Sequence, residues 1–187
     1  MRCKTPLDAT PVQRTDWPVG IDRLYCGLRY TGPVRELIHA WKFRKTPSLT
    51  ALLLGLAWNN GAAPPADYDG IVPIPMHWRR KLVRGFNQSH LLALAVSQRW
   101  ATDGRGQVPI NALLSVERRR KAQHTLNRRQ RMAHAAADFK LCREITQRRI
   151  LLVDDVVTTG ATLASAAQTL KAAGVGRIDA WCLARTL

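Results

Sequence analysis

Arg149–Ile150–Leu151–Leu152–Val153–Asp154–Asp155–Val156–Val157–Thr158–Thr159–Gly160–Ala161–Thr162 is the stretch that decides the fold. Arg149 to Asp154 reads as a strand whose aliphatic run is uninterrupted, as expected of a strand buried on both faces of a parallel sheet. The Ala-rich residues 160–173 predict a helix, and Arg177 to Leu183 predicts the next strand. Upstream, Gly70–Ile71–Val72–Pro73–Ile74–Pro75 is a strand bounded by breakers, followed by a loop and then a helix over Asn87–Trp100. Val34, Leu37, Ile38 and Trp41 fall at helical spacing after Pro33, and a second helix covers Ser48–Asn60, with Ser48 as a candidate cap. Ala112–Val116 adds a further strand. Strands alternating with helices predict an α/β fold with a mostly parallel central sheet flanked by helices.

The chemistry concentrates where the first strand ends. In open α/β sheets ligands bind at the carboxyl edge, and here that edge carries two acids and then three threonines around a glycine. Gly160 permits a tight turn, and the N–H groups opening the next helix are unsatisfied donors at the positive end of its dipole, which suits a phosphate. Thr158, Thr159 and Thr162 add hydroxyl donors. Charge-assisted bonds contribute about 1.5–3 kcal/mol each, so a few of them approach the ~8 kcal/mol of micromolar binding. Asp154 and Asp155 would repel that phosphate unless they face something else, and the vicinal hydroxyls of a ribose are the natural partner. Helix capping alone would need one acid and leaves the hydroxyls unexplained. Neither GxxxxGK[ST] nor GxGxxG occurs, so a Walker A loop and a dinucleotide fingerprint are excluded.

The 187 residues suffice for one α/β domain with a core. Residues 1–29, punctuated by Pro6, Pro11 and Pro18, are expected to form an extended leading segment, and residues 30–187 the domain. Net charge is +16, and it is lopsided: 17 basic and 4 acidic residues lie between 79 and 149, against 9 and 6 before and 3 and 3 after. A polyanionic partner fits that block. Cys3, Cys26, Cys142 and Cys182 form no CxxC pair, so no zinc site is expected. No apolar stretch approaches bilayer length, and a cytoplasmic location is expected.

With these residues in register, the Ile150–Thr162 segment resembles the signature of type I phosphoribosyltransferases. Ile71–Val72–Pro73–Ile74–Pro75–Met76–His77, followed by Arg84–Gly85–Phe86–Asn87–Gln88, resembles the ComF/GntX branch of that superfamily. Trp41–Lys42–Phe43, Arg118, Gln123, Arg131 and Cys182–Leu183–Ala184–Arg185 agree with it. The resemblance implies a type I phosphoribosyltransferase-like fold whose ligand is phosphoribosyl pyrophosphate. Val156, Val157, Thr158, Thr159, Gly160, Ala161 and Thr162 would take its 5-phosphate, and Asp154 and Asp155 would steady the ribose as charge develops. The loop after the Ile71–Pro75 strand would take the pyrophosphate through Met76 and His77, with Arg79, Arg80, Lys81 and Arg84 nearby. Magnesium would accompany the diphosphate, completing its octahedron with oxygen ligands.

Many relatives begin with a four-cysteine zinc module, whereas here only Cys3 and Cys26 lie in that region, and His134 stands where relatives tend to have Asn soon after the Arg that matches Arg131. The resemblance also implies a role in DNA uptake during natural competence or in use of external DNA. Arg118, Arg119, Arg120, Lys121, Arg128, Arg129 and Arg131 are the expected contacts to single-stranded DNA phosphates, without aromatics for stacking in that stretch. A DNA-translocating ATPase is a further expected partner. The alternative is a non-catalytic ligand sensor that binds single-stranded DNA as an accessory of such a machine.

Overall fold

The computed structural model describes residues 18–44, 46–116 and 139–186. Its centre is a four-stranded sheet built from β1 (Arg23–Arg29), β2 (Gly70–Pro73), β5 (Arg149–Val157) and β6 (Arg177–Arg185), in the order β1-β6-β5-β2. All three pairings are parallel. A separate antiparallel ribbon pairs β3 (Leu114–Val116) with β4 (Phe139–Leu141). The helices are α1 (Gly32–Phe43), α2 (Leu49–Asn59), α3 (Trp78–Arg84), α4 (Gln88–Thr102) and α5 (Ala161–Ala172).

Two cores follow from the strand alternation. Leu151 and Val153 pack with Trp41, Leu53, Ala57, Leu92 and Trp100, so α1, α2 and α4 cover one face of the sheet. Ile150 and Leu152 pack with Leu163, Ala166, Ala167 and Leu170, so α5 covers the other face, joined by Leu114 and Phe139 of the ribbon. Burial on both faces accounts for the unbroken aliphatic run in β5.

The structure departs from the sequence reading in four places. Arg23–Arg29, expected within the extended leading segment, is an edge strand of the main sheet, paired in parallel with β6 from Arg23↔Asp179 to Arg29↔Arg185 with Gly27 left out of the ladder. Its side chains Leu24, Cys26 and Leu28 are buried, which ties this end of the segment down. Residues 78–84, expected as loop, form a helix opened by His77, whose Nδ1 accepts from the Arg79 N–H at 3.3 Å, and closed by Gly85 in the left-handed region at φ +84°. The strand near Val116 lies in the antiparallel ribbon, since its partner is β4 and not the parallel sheet. Ser48 has αR backbone angles and makes no side-chain cap to α2.

Candidate functional site

β5 delivers Asp154 and Asp155 to the carboxyl edge, and the ladder breaks there. Asp154 pairs with Cys182 and Val156 with Ala184, whereas Leu183 bridges neither Asp155 nor Gly27 of β1. Beyond the break the alternation shifts by one residue: Val156 joins the α2/α4 core and Val157 the α5 core. The N–H groups freed by this break are taken by the carboxylates. Asp155 N–H donates to Asp154 Oδ1 at 2.8 Å, and Val156 N–H donates to Asp155 Oδ1 at 2.6 Å. The acid pair is thus fixed by the strand's own backbone, leaving other carboxylate lone pairs for the cleft.

Side chains from two helices complete the pair. Ser89, in the first turn of α4, donates from Oγ to Asp154 Oδ1 at 3.1 Å, and Lys42 near the end of α1 places Nζ 2.9 Å from Asp155 Oδ2. Asp154 keeps some exposure to the cleft, yet its carboxyl is enclosed enough that burial, reinforced by the neighbouring Asp155 charge, pushes it up to about 7. The Asp155 N–H, the Ser89 hydroxyl and Lys42 oppose that rise.

Asn87 organises the opposite wall. Its Oδ1 accepts from the Ser89 N–H at 3.0 Å as the N-cap of α4, and its Nδ2 donates to the Ile74 carbonyl at 3.1 Å. One side chain therefore joins the loop after β2 to the helix that holds Asp154.

The turn after β5 has the geometry its residues suggest. Gly160 sits at φ +77° as the residue before α5, and a Cβ there would lie 2.7 Å from Pro18 Cγ. Thr159 Oγ1 accepts from the Ala161 N–H at 3.4 Å, and the first intrahelical bond runs from Ala164 N–H to the Gly160 carbonyl at 2.9 Å. The N–H groups of Thr162 and Leu163 thus precede the helix's own ladder. Residues Val156 to Leu163 and Asp154 line a concavity of ≈ 30 Å³, room for about two water-sized groups.

That concavity shares Asp154, Val156 and Thr162 with a cleft of ≈ 650 Å³. The cleft brings together Asp154, Asp155 and Lys42 with Met76, His77, Arg79, Arg80 and Arg84 of the facing loop and α3. Lys81 is exposed and does not line it. Arg118, Arg119, Arg120, Lys121, Arg128, Arg129, Arg131 and His134 lie outside the described residues; Val116 and Phe139, the nearest flanking residues of β3 and β4, line the cleft. Ser89 and the pairing of Lys42 with Asp155 were not singled out from sequence. The only signal for them was a serine following Asn87–Gln88 and a lone cation in Trp41–Lys42–Phe43.

Residues 89–186 match the phosphoribosyl transferase domain family, which makes this a phosphoribosyltransferase-type domain. The chain is 33% identical over 174 residues to DNA utilization protein YhgH of Escherichia coli strain K12, covering 88% of this chain and 73% of the relative. It is 34% identical over 166 residues to the protein of that name from Salmonella typhi, covering 84% and 70%. Competence protein F of Haemophilus influenzae is 34% identical over 121 residues, covering 63% of this chain and 50% of the relative. The chain belongs to the ComF family within the phosphoribosyltransferase superfamily. Among the described residues no helix is long and apolar enough to cross a membrane.

Proposed function

We propose that the cleft binds phosphoribosyl pyrophosphate with magnesium and that the protein uses this ligand in handling DNA. One observation carries the reading: a single cleft of ≈ 650 Å³ holds the acid pair, the Thr162 end of the hydroxyl turn and the cationic wall of Arg79, Arg80 and Arg84. The volume is within the usual range for small-molecule sites. The 5-phosphate sits on the turn from Val156 to Thr162, the ribose diol on Asp154 and Asp155, and the diphosphate against Met76, His77 and the α3 arginines. Lys81 contributes charge from outside the cleft.

Magnesium fits this donor set. Among the described residues no three His, Cys, Asp or Glu side chains cluster as a metal cage. A cation here would take most of its oxygens from diphosphate and water and at most one or two from Asp154 and Asp155, as magnesium commonly does. When bound it would neutralise the diphosphate. The protein's share is positioning and electrostatics: the acids face the ribose where positive charge develops, while the arginines face the departing anion. In transfer, the nucleophile's lone pair forms the bond to the anomeric carbon as the bond to diphosphate oxygen breaks.

The relatives named for DNA utilization and competence support a DNA-handling role, and the mid-chain cations from Arg118 to Arg131 supply phosphate contacts for it. A DNA-translocating ATPase is the macromolecular partner this role calls for. Calorimetry tests the ligand: phosphoribosyl pyrophosphate with magnesium binds the native protein, and Asp154→Asn with Asp155→Asn abolishes the heat. Equal affinity in the double variant would overturn the site. Magnesium-dependent pyrophosphate release with a panel of bases and amines tests transfer. Tight binding without release would instead make the protein a ligand sensor.

A further inference from the structure

We propose that α3 and the end of α1 form a base-stacking surface for single-stranded DNA beside the cleft. The inference rests on the DNA-handling role above and gives that role a location which the mid-chain cations do not supply.

The four largest exposures among apolar side chains on these two elements are Trp78 at 49%, Leu82 at 73%, Val83 at 72% and Phe43 at 53%. No residue of α3 is buried, so its apolar side chains do no work in the core. Trp78 and Leu82, four residues apart, lie on one helical face. Arg80 and Arg84, also four apart, line the cleft on another. The helix therefore serves the cleft with one face and presents a tryptophan and a leucine to solvent with another.

Both exposed rings carry a guanidinium. Arg79 lies 5.3 Å from the Trp78 ring centroid and Arg84 lies 5.1 Å from that of Phe43. Each ring also meets a histidine, Phe43 with His39 at 4.5 Å and Trp78 with His77 at 5.8 Å between centroids, yet about half of each residue's surface is still in water. Arg84 ties Phe43 to the carboxyl end of α3 and Trp78 stands at its start, so the two rings flank about 9 Å of helix.

Charge selects the occupant. The seven residues Trp78–Arg84 include four cations and no acid, and among the described residues none of Arg79, Arg80, Lys81 and Arg84 forms an ion pair. Aromatic rings interleaved with unpaired cations are how single strands are held without sequence preference: phosphates meet the cations and each base offers a π-face to a ring. A duplex hides those faces. The apolar stripe of so short a helix is small for a membrane-surface anchor.

Fluorescence anisotropy with a labelled oligothymidine of about 20 nucleotides, longer than one typical site, tests the proposal. Trp78→Ala and Phe43→Ala should each weaken binding roughly tenfold, Trp78→Tyr should keep most of it, and an unlabelled duplex should compete poorly. All three variants change exposed side chains, and circular dichroism checks their folding. Calorimetric affinity of Trp78→Ala for phosphoribosyl pyrophosphate should equal that of the native protein.

If the native protein binds the oligonucleotide and both alanine variants bind it equally well, the surface is overturned while the DNA-handling role stands. If the native protein does not bind it even at low salt, both fall, and the calorimetry still reports separately on the cleft. Tighter binding to an oligouridine of equal length, or an alanine effect confined to anionic phosphatidylserine vesicles, overturns the DNA assignment.

Discussion

Lys42 and Asp155 meet across the cleft, Nζ to Oδ2 at 2.9 Å, with only 13% and 14% of their side chains exposed. The lysine ends a helix that packs on the sheet through Trp41, whose Nε1 donates to Thr50 Oγ1 at 3.0 Å, so its position is held by the core. It is the cation from α1 among the cleft's lining residues, and it lowers the tendency of the adjacent Asp154 to hold a proton. Lys42→Met removes that influence. Asp154 should then retain its proton to higher pH, and affinity for phosphoribosyl pyrophosphate at pH 7 should drop about tenfold or more, the loss expected when one charge-assisted contact disappears. Calorimetry across pH checks both. An unchanged pH profile would show that Lys42 does not govern the acid pair.

Asp154 makes the stability of the ligand-free protein depend on pH in an uncommon direction. Its carboxyl ionises near 7 in the fold against 3.8 in the unfolded chain, chiefly because burial disfavours its charge. Between those values the folded state binds more protons than the unfolded one, so this group's contribution falls as pH rises from about 4 to 7 and is constant above. Asp154→Asn removes the penalty. The variant should melt several degrees higher than the native protein at pH 8, about 2–4 °C for each kcal/mol relieved, with the gap closing toward pH 4. The same variant should bind phosphoribosyl pyrophosphate less well. Calorimetric melts at both pH values decide the first claim, and a lower melting temperature at pH 8 would refute it.

Gly160 offers a controlled test of the turn. Alanine there must adopt φ +77° and push against the Pro18 ring, whereas alanine at Gly174 must adopt φ +92° with nothing within 4 Å. Backbone strain of about 1–2 kcal/mol is common to both substitutions. Only Gly160→Ala also disturbs the N–H groups before α5. Both variants should lose stability, Gly160→Ala the more, but only Gly160→Ala should lose ligand affinity, by about tenfold or more. Equal losses of affinity would mean the turn is structural and not a phosphate site.

What the sequence disclosed was chemistry compressed into neighbouring residues. Asp154 to Thr162 could be read because carboxylates, glycine and hydroxyls follow each other within one strand and one turn. β1 escaped for a physical reason: beside the short alternation of Leu24, Cys26 and Leu28 stands Gly27, a poor strand former, where any Cβ would overlap the backbone of Ala57 in α2. The glycine that weakens the strand signal is what allows that close approach. α3 escaped because it buries nothing and so has no core-facing stripe to detect. The ribbon was half legible, since Ala112–Val116 reads as strand while its partner Phe139–Leu141 lies beyond the basic stretch. Lys42 and Ser89 converge on the acid pair only through tertiary packing, and no local pattern encodes that.

At the other end of the sheet, Asp179 is fully buried near the start of β6, accepting from the Tyr68 hydroxyl at 2.7 Å and from Arg177 Nη2 at 2.6 Å. Arg177 also reaches Asp67 at 2.8 Å through Nη1. Burial and the Asp179 carboxylate together push the Tyr68 phenol well above its ordinary range, so it stays a donor. Tyr68→Phe deletes one bond to a charged acceptor that keeps a second partner, and should cost about 1–2 kcal/mol. Arg177→Met leaves a buried carboxylate with a single neutral donor and should cost about 3–5 kcal/mol, toward the lower value because water reaches the arginine side. These residues mark where the strands begin, while the cleft lies where they end. Denaturant titrations should therefore show both losses while calorimetry shows native affinity for phosphoribosyl pyrophosphate. A folded Arg177→Met protein with weakened ligand binding would mean that the two ends of the sheet are coupled.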